Sequence, residues 1–173
     1  MHTELLLLLR LVVAALLAGV LGFEREQSGK AAGLRTHMLV GIASALFMAV
    51  GEALPGRAGD PLRTVQAVAT GVGFLGAGAI FFVPKSRSVH GLTTAASIWA
   101  TSAIGLTAGA GAFVLAAGAT ALLAFVLRGV VWIEAASPGL ARHLDKERRD
   151  ARLAEERARK AARGGHGDGS ADA

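Results

Sequence analysis

The residues Gly71-Val72-Gly73-Phe74-Leu75-Gly76-Ala77-Gly78 spell G-x-G-x-x-G, the pattern with which dinucleotide-binding proteins cradle a pyrophosphate. That chemistry needs a strand-to-helix turn facing water inside a βαβ unit. Here the pattern lies within an uncharged apolar run from about Val65 to Val83. In such a run glycine has another use, letting membrane helices approach backbone to backbone. The block therefore reads as a helix-packing or pathway-lining face. On a helix, Ala69, Gly73 and Ala77 form one small-residue stripe, while Ala67, Gly71 and Gly78 lie on a second. Two such faces predict a third span packed on both sides, near the centre of a bundle.

The polar residues crowd into three short segments: Glu24-Arg25-Glu26, then Gly33-Leu34-Arg35-Thr36-His37, then Gly91-Leu92-Thr93-Thr94. Acids, arginines, a histidine and hydroxyls at one mouth could hold a cation or an anion. Each also has a plainer role: Thr36 or Thr93 as a helix cap, Arg25 as an orientation charge. The carboxylates and His37 lack metal-ligand spacing, so no metal and no cofactor is assigned. No catalytic dyad or triad is visible, and an enzyme is not expected. Ser97 and Ser102 lie in apolar helix, where a hydroxyl most often bonds the preceding turn. Arg10 and Glu52 fall at matching depths in the first and second apolar segments, which makes them a candidate interhelical ion pair. Arg128, close to Trp132, reads as a snorkelling residue.

The elements that must position these residues are apolar helices. The chain is 53% hydrophobic with 23 glycines in 173 residues, while aromatics are only 5%, so its apolar surface is aliphatic and small. Mean hydropathy is +0.49. The absence of Cys removes disulfides and thiolate sites. The net charge of +5 gathers at the ends of apolar segments and in the tail, which favours membrane orientation over nucleic acid. Roughly 20 apolar residues cross a bilayer. Spans are expected at about 5–23, 38–54, 65–83, 93–108 and 112–133. The stretch from Leu92 to Ile133 would measure roughly 63 Å as one helix and must fold back, with Gly109-Ala110-Gly111 as the turn. Met1-His2-Thr3-Glu4 is no basic leader and no A-x-A cleavage site follows, so the first span is expected to be retained.

The expected fold is thus all-α, a polytopic membrane bundle of about five helices over residues 1–136. Five spans put Arg25, Lys30, Arg35, Lys85, Arg87 and the basic tail on one side, which the positive-inside rule makes cytoplasmic, and leave the N-terminus outside. Residues 137–173 form a charged cytoplasmic tail, helical where Asp145/Arg149, Glu155/Arg159 and Glu156/Lys160 stand at i,i+4, and disordered from about 164. Its attraction to anionic lipid is an open alternative.

Taken in order, Glu24-Arg25-Glu26-Gln27, Ala32-Gly33-Leu34-Arg35-Thr36-His37, the block Gly71, Gly73, Phe74, Gly76 and Gly78, and Gly91-Leu92-Thr93-Thr94-Ala95-Ala96-Ser97-Ile98-Trp99 resemble the successive motifs of the MgtC/SapB family. The resemblance covers about residues 5 to 134. It implies a bacterial inner-membrane protein of about five spans, linked to growth in low magnesium and, in pathogenic relatives, to survival inside macrophages. The best-studied virulence members are thought to inhibit the membrane ATP synthase. This chain departs from that branch at Thr93, where they carry Asn, at Ala100, where they carry Cys, and at Ala67, where they carry Gln, with Gln66 adjacent. Its tail is also too short and too charged for the cytoplasmic α/β module many members have. The expected role is therefore regulatory or accessory, with the lipid bilayer and another membrane protein or a second copy as partners; transport of Mg²⁺ or another small solute is the alternative.

Overall fold

The computed structural model describes residues 2–54, 60–83 and 88–136; the expected helical tail and its disorder from 164 lie outside the described residues. Among the described residues five helices and one hairpin follow in order: α1 (His2–Gln27), α2 (Leu34–Ala53), α3 (Pro61–Gly78), β1 (Phe81–Val83), β2 (Ser88–His90), α4 (Leu92–Gly109) and α5 (Phe113–Ala136). Packing is described within residues 1–128; the last turns of α5, from Gly129, belong to a second unit.

Local chemistry sets the breaks. α1 ends where Gly29 takes a left-handed φ of 64°, with its N–H on the Glu26 carbonyl and that of Lys30 on the Arg25 carbonyl. This pairing satisfies the orphan acceptors of the last turn. α4 ends in the same way: Gly111 adopts φ 79° and donates to the Ala108 carbonyl, while Ala112 donates to that of Thr107. At the head of α3, the Asp60 carboxylate accepts from the Leu62 N–H at 3.0 Å and Pro61 occupies the first turn, where a missing N–H costs nothing.

The apolar run read as a third span from 65 to 83 is divided in the structure. Helix α3 starts earlier, at Pro61, and stops at Gly78; Phe81–Val83 then pairs antiparallel with Ser88–His90. β-branched and aromatic residues on both strands favour that pairing once the helix has been capped. Gly91, at φ 89°, turns the chain into α4 with its α-carbon against the Ala79 carbonyl; a Cβ there would collide with that oxygen. The expectation of an uninterrupted helix to 83 is corrected accordingly.

Helices α1 to α4 run alternately up and down. Gly22 meets Leu34 and His37 where α1 hands over to α2, Gly51 meets Thr64 where α2 hands over to α3, and Gly76 meets Ala95 between α3 and α4. α2 and α4 are parallel and in close contact: a Cβ on Gly105 would strike the Gly41 carbonyl, and one on Gly109 would lie 2.6 Å from that of Ala45. One apolar cluster joins Ala14, Leu21, Ala45, Ile104, Ala108 and Ala116 across α1, α2, α4 and α5. A second joins Met48, Val68, Val72, Ile98 and Leu106 across α2, α3 and α4, with Ala32.

α1, over Thr3–Gln27, and α2 are long and apolar enough to cross a membrane. They bury little of themselves in the protein, and leucines along α1 such as Leu5, at 68% exposure, point away from it. A soluble core helix would hide those residues; an apolar solvent is what this surface fits.

Candidate functional site

The corner where α1 ends, α2 begins and α4 begins gathers most of the buried polar groups. Glu24 and Arg25 are both buried, the latter 3% exposed. They pair side by side: Arg25 Nε donates to Glu24 Oε2 at 2.5 Å and Nη2 to Oε1 at 2.9 Å, a bidentate fork that a guanidinium is shaped to make. Ser28, one helical turn on, donates its hydroxyl to the same Oε1 at 2.9 Å. Arg25 Nη1 is buried with no protein acceptor among the described residues.

Glu26 has a different task. Its Oε2 accepts from the Leu34 N–H at 2.8 Å, so α1 caps the first turn of α2 with a carboxylate. Gly33, the residue in the N-cap position, has no side chain to do this, and the Glu26 side chain packs where its Cβ would be. Thr36 and Thr93, expected as caps, both lie inside their helices and are exposed; neither is the N-cap. Arg35 is exposed as well.

His37 is fully enclosed, at 0% exposure. Its Nδ1 lies 2.9 Å from the Gly33 carbonyl, and its Nε2 lies 3.1 Å from the Ser97 hydroxyl of α4. Ser97 Oγ also donates to the Thr94 carbonyl at 2.8 Å, and Thr101 Oγ1 to that of Ser97 at 2.8 Å. Thr94, Ser97 and Thr101 stand at i, i+3 and i+7, so one hydroxyl stripe of α4 faces α2. His37 and Ser97 are the pairing that reading the sequence did not anticipate. The signal was there, in a hydroxyl periodicity along α4 and a histidine one turn after Gly33. Ser102 bonds back to the Trp99 carbonyl, as expected of a hydroxyl in apolar helix.

At the opposite end, Arg10 and Glu52 come together: Arg10 Nη1 donates to Glu52 Oε2 at 2.8 Å and also to the Gly109 carbonyl at 2.8 Å. One guanidinium thereby ties α1, α2 and the C-terminus of α4, where the helix dipole also favours a cation.

The glycine block is not where the tight packing occurs. Among the described residues, no other element comes within 4 Å of where a Cβ of Gly71, Gly73 or Gly78 would stand, whereas that of Gly76 would lie 3.5 Å from the Ala95 carbonyl of α4. Phe74 is 81% exposed. The expectation that α3 packs on both faces at the centre of the bundle is overturned within this chain: α3 buries only Val68, Val72 and Gly76. α2 and α4 hold the central position instead, through Gly41, Gly105 and Gly109. Of the fourth motif, Gly91 makes the left-handed turn and Thr94 joins the hydroxyl stripe, Ala95 is half-buried beside Gly76, and Leu92 and Trp99 face outward. Arg128 is exposed on α5. An open apolar groove of ≈ 620 Å³ runs between α2 and α3, with Phe47, Val50, Gly71 and Leu75 in its walls. Among the described residues, no three His, Cys, Asp or Glu side chains stand together as a metal cluster would require.

The MgtC family profile matches residues 11–136. The chain is 46% identical over 115 residues to "Putative magnesium transporter YhiD" of Escherichia coli (strain K12), an alignment covering 62% of this chain and 53% of that protein. It is 45% identical over 113 residues to Protein SrpB of Synechococcus elongatus, covering 59% of this chain and 62% of that one. It is 41% identical over 110 residues to Protein MgtC of Brucella abortus (strain 2308), covering 64% and 45% respectively. The chain thus spans about half the length of the curated relatives it matches. No solved structure matches it. With the matched region running from the first turns of α1 to the end of α5, the chain belongs to the MgtC family.

Proposed function

We propose that the chain is a five-span protein of the bacterial inner membrane, N-terminus outside and C-terminus cytoplasmic, acting as a regulatory or accessory component of growth under magnesium limitation through contact with another membrane protein. The observation that carries this reading is the outward face of α3. Glycine in a helix costs about 1 kcal/mol against alanine, yet Gly73, which shares a stripe with Ala69 and Ala77, meets no other element among the described residues. A helix of another protein lying on that face would give it the use that small residues have in membranes. The carboxylates of the α1–α2 corner point the same way. Glu24 is taken by Arg25 and Ser28, and Glu26 by the head of α2, so these groups are committed to holding helices together.

The test is affinity purification of the full chain from native membranes of cells grown at low magnesium. A membrane protein should co-purify in stoichiometric amount and be lost on Gly73→Leu, while the variant itself accumulates normally. Loss of accumulation in Gly73→Leu, or a partner retained by it, would sink the assignment to this face. A second copy of the chain, or the ATP synthase, is an outcome of the same experiment. Transport is the second reading, favoured by the name carried by YhiD. Purified chain in liposomes should give no Mg²⁺ flux above empty vesicles; clear flux would replace the regulatory reading with the transport one.

A further inference from the structure

We propose that His37 is a reversible proton-binding site, built so that its neutral and charged rings are both fully hydrogen-bonded without movement of any heavy atom. The argument is a count of protons. The Gly33 carbonyl can only accept, so Nδ1, 2.9 Å away, carries a hydrogen in either state. The second nitrogen faces a hydroxyl, which can donate or accept by rotating about one bond. In the neutral ring, the Ser97 hydroxyl turns away from the Thr94 carbonyl to donate its one proton to the lone pair of Nε2, and that carbonyl keeps the α-helical bond it receives from the N–H four residues on. In the charged ring, the added proton sits on Nε2 and is donated to Ser97 Oγ; the hydroxyl hydrogen swings to the Thr94 carbonyl, 2.8 Å away. No bond other than that rotor changes.

The surrounding charges do not supply a fixed counter-ion. From α1, Glu24 and Arg25 both act on the ring, but they are paired with one another. Glu26 is engaged at the Leu34 N–H. From α2 the neighbouring Arg35 is exposed, and α4 presents the hydroxyls of Thr94, Ser97 and Thr101 and no titratable group. The arginine of α3, Arg63, lies at that helix's opposite end, and Arg128 of α5 acts on Glu24. A proton at Nε2 is therefore a new charge in an enclosed place. Charging would replace a neutral hydrogen bond between α2 and α4 with a charge-assisted one, so the parallel pair at the centre of the bundle carries a group that reports proton concentration on one side of the membrane.

The measurement is nitrogen NMR of the full chain, labelled with ¹⁵N-histidine, in lipid nanodiscs. The His37 signal is assigned by its absence in His37→Gln. Should that variant fail to accumulate, a chain with His2, His90, His143 and His166 replaced by Gln isolates the same signal. The expected result is the Nδ1–H tautomer at neutral pH, converting reversibly to imidazolium as the pH falls, with a midpoint that drops in Ser97→Ala and stays close to that of the parent in Ser97→Thr, which keeps the hydroxyl. Three results would each overturn the proposal: a ring that stays neutral down to the pH at which the fold is lost, an Nε2–H tautomer at neutral pH, or a midpoint unmoved by Ser97→Ala.

Discussion

Arg10 uses a single nitrogen for two partners, and that double duty makes its contribution distinguishable from that of Glu52. Removing the Glu52 charge frees one acceptor; removing the guanidinium also leaves the Gly109 carbonyl without its donor. Both side chains keep about a quarter to a third of their surface, 24% and 33%, so screening tempers the pair and a loss of about 1–2 kcal/mol is the right scale for Glu52→Gln. Arg10→Gln should cost more than Glu52→Gln. The double replacement should cost less than the sum of the two, and the swap Arg10→Glu with Glu52→Arg should recover only part, because a carboxylate then sits beside the C-terminus of α4. Denaturant unfolding in detergent reads all four variants. Strictly additive losses would show that the two residues act independently despite their 2.8 Å contact.

At the scale of elements, the glycines divide into those that bring helices together and those that do not. Gly105→Ala would drive a methyl group into the backbone of α2 at Gly41 and the Ser44 side chain, and α2 and α4 cannot separate without opening both apolar clusters. A loss of about 1–3 kcal/mol is expected, with reduced accumulation. Gly73→Ala should leave the folded chain as stable or slightly more so, because the added methyl meets nothing and improves helix propensity. If both substitutions behave alike in thermal unfolding, the assignment of close packing to α2 and α4 fails. Gly91→Ala should be the most damaging of the three. It combines a positive φ that a side chain resists with a collision at the Ala79 carbonyl, and it would detach α4 from the end of α3.

For the whole molecule, the up-and-down order of α1 to α4 constrains the topology. α2 and α4 are parallel, so α3 must return across the same thickness between them, and the turn at Gly111 sends α5 back again. The Lys and Arg residues of the 24–37 connection then fall at the end where α4 also begins. The proposed topology takes that end as the cytoplasmic one, on the positive-inside rule. A fluorescent reporter fused after Ala173 should light up and alkaline phosphatase fused there should be inactive, whereas phosphatase fused at the 55–59 connection should be active. An active phosphatase at the C-terminus would require an even number of crossings and break the five-span reading.

The sequence by itself determined what short-range chemistry controls. Apolar length marked the helices and Gly109-Ala110-Gly111 the turn between α4 and α5, while the ends set by Gly29 and by Asp60-Pro61 came only with the structure, four residues outside the expected spans at 23 and 65. The depths of Arg10 and Glu52 were legible as well, since a helix converts residue number directly into height. What only the tertiary structure decided is which face meets which neighbour. A small-residue stripe says that a helix can be approached closely, and both α3 and α4 carry one; the stripe of α4 is filled by α2, while that of α3 is left open to the outside. Phe81–Val83 looked like the end of a helix because a continuous apolar run does not distinguish helix from strand, and its partner strand arrives only with Ser88 to His90. His37 is the clearest case. Its ring is enclosed by Ser97, sixty residues away, and its pairing with a hydroxyl rather than a fixed donor was decided by the register at which α2 and α4 pack.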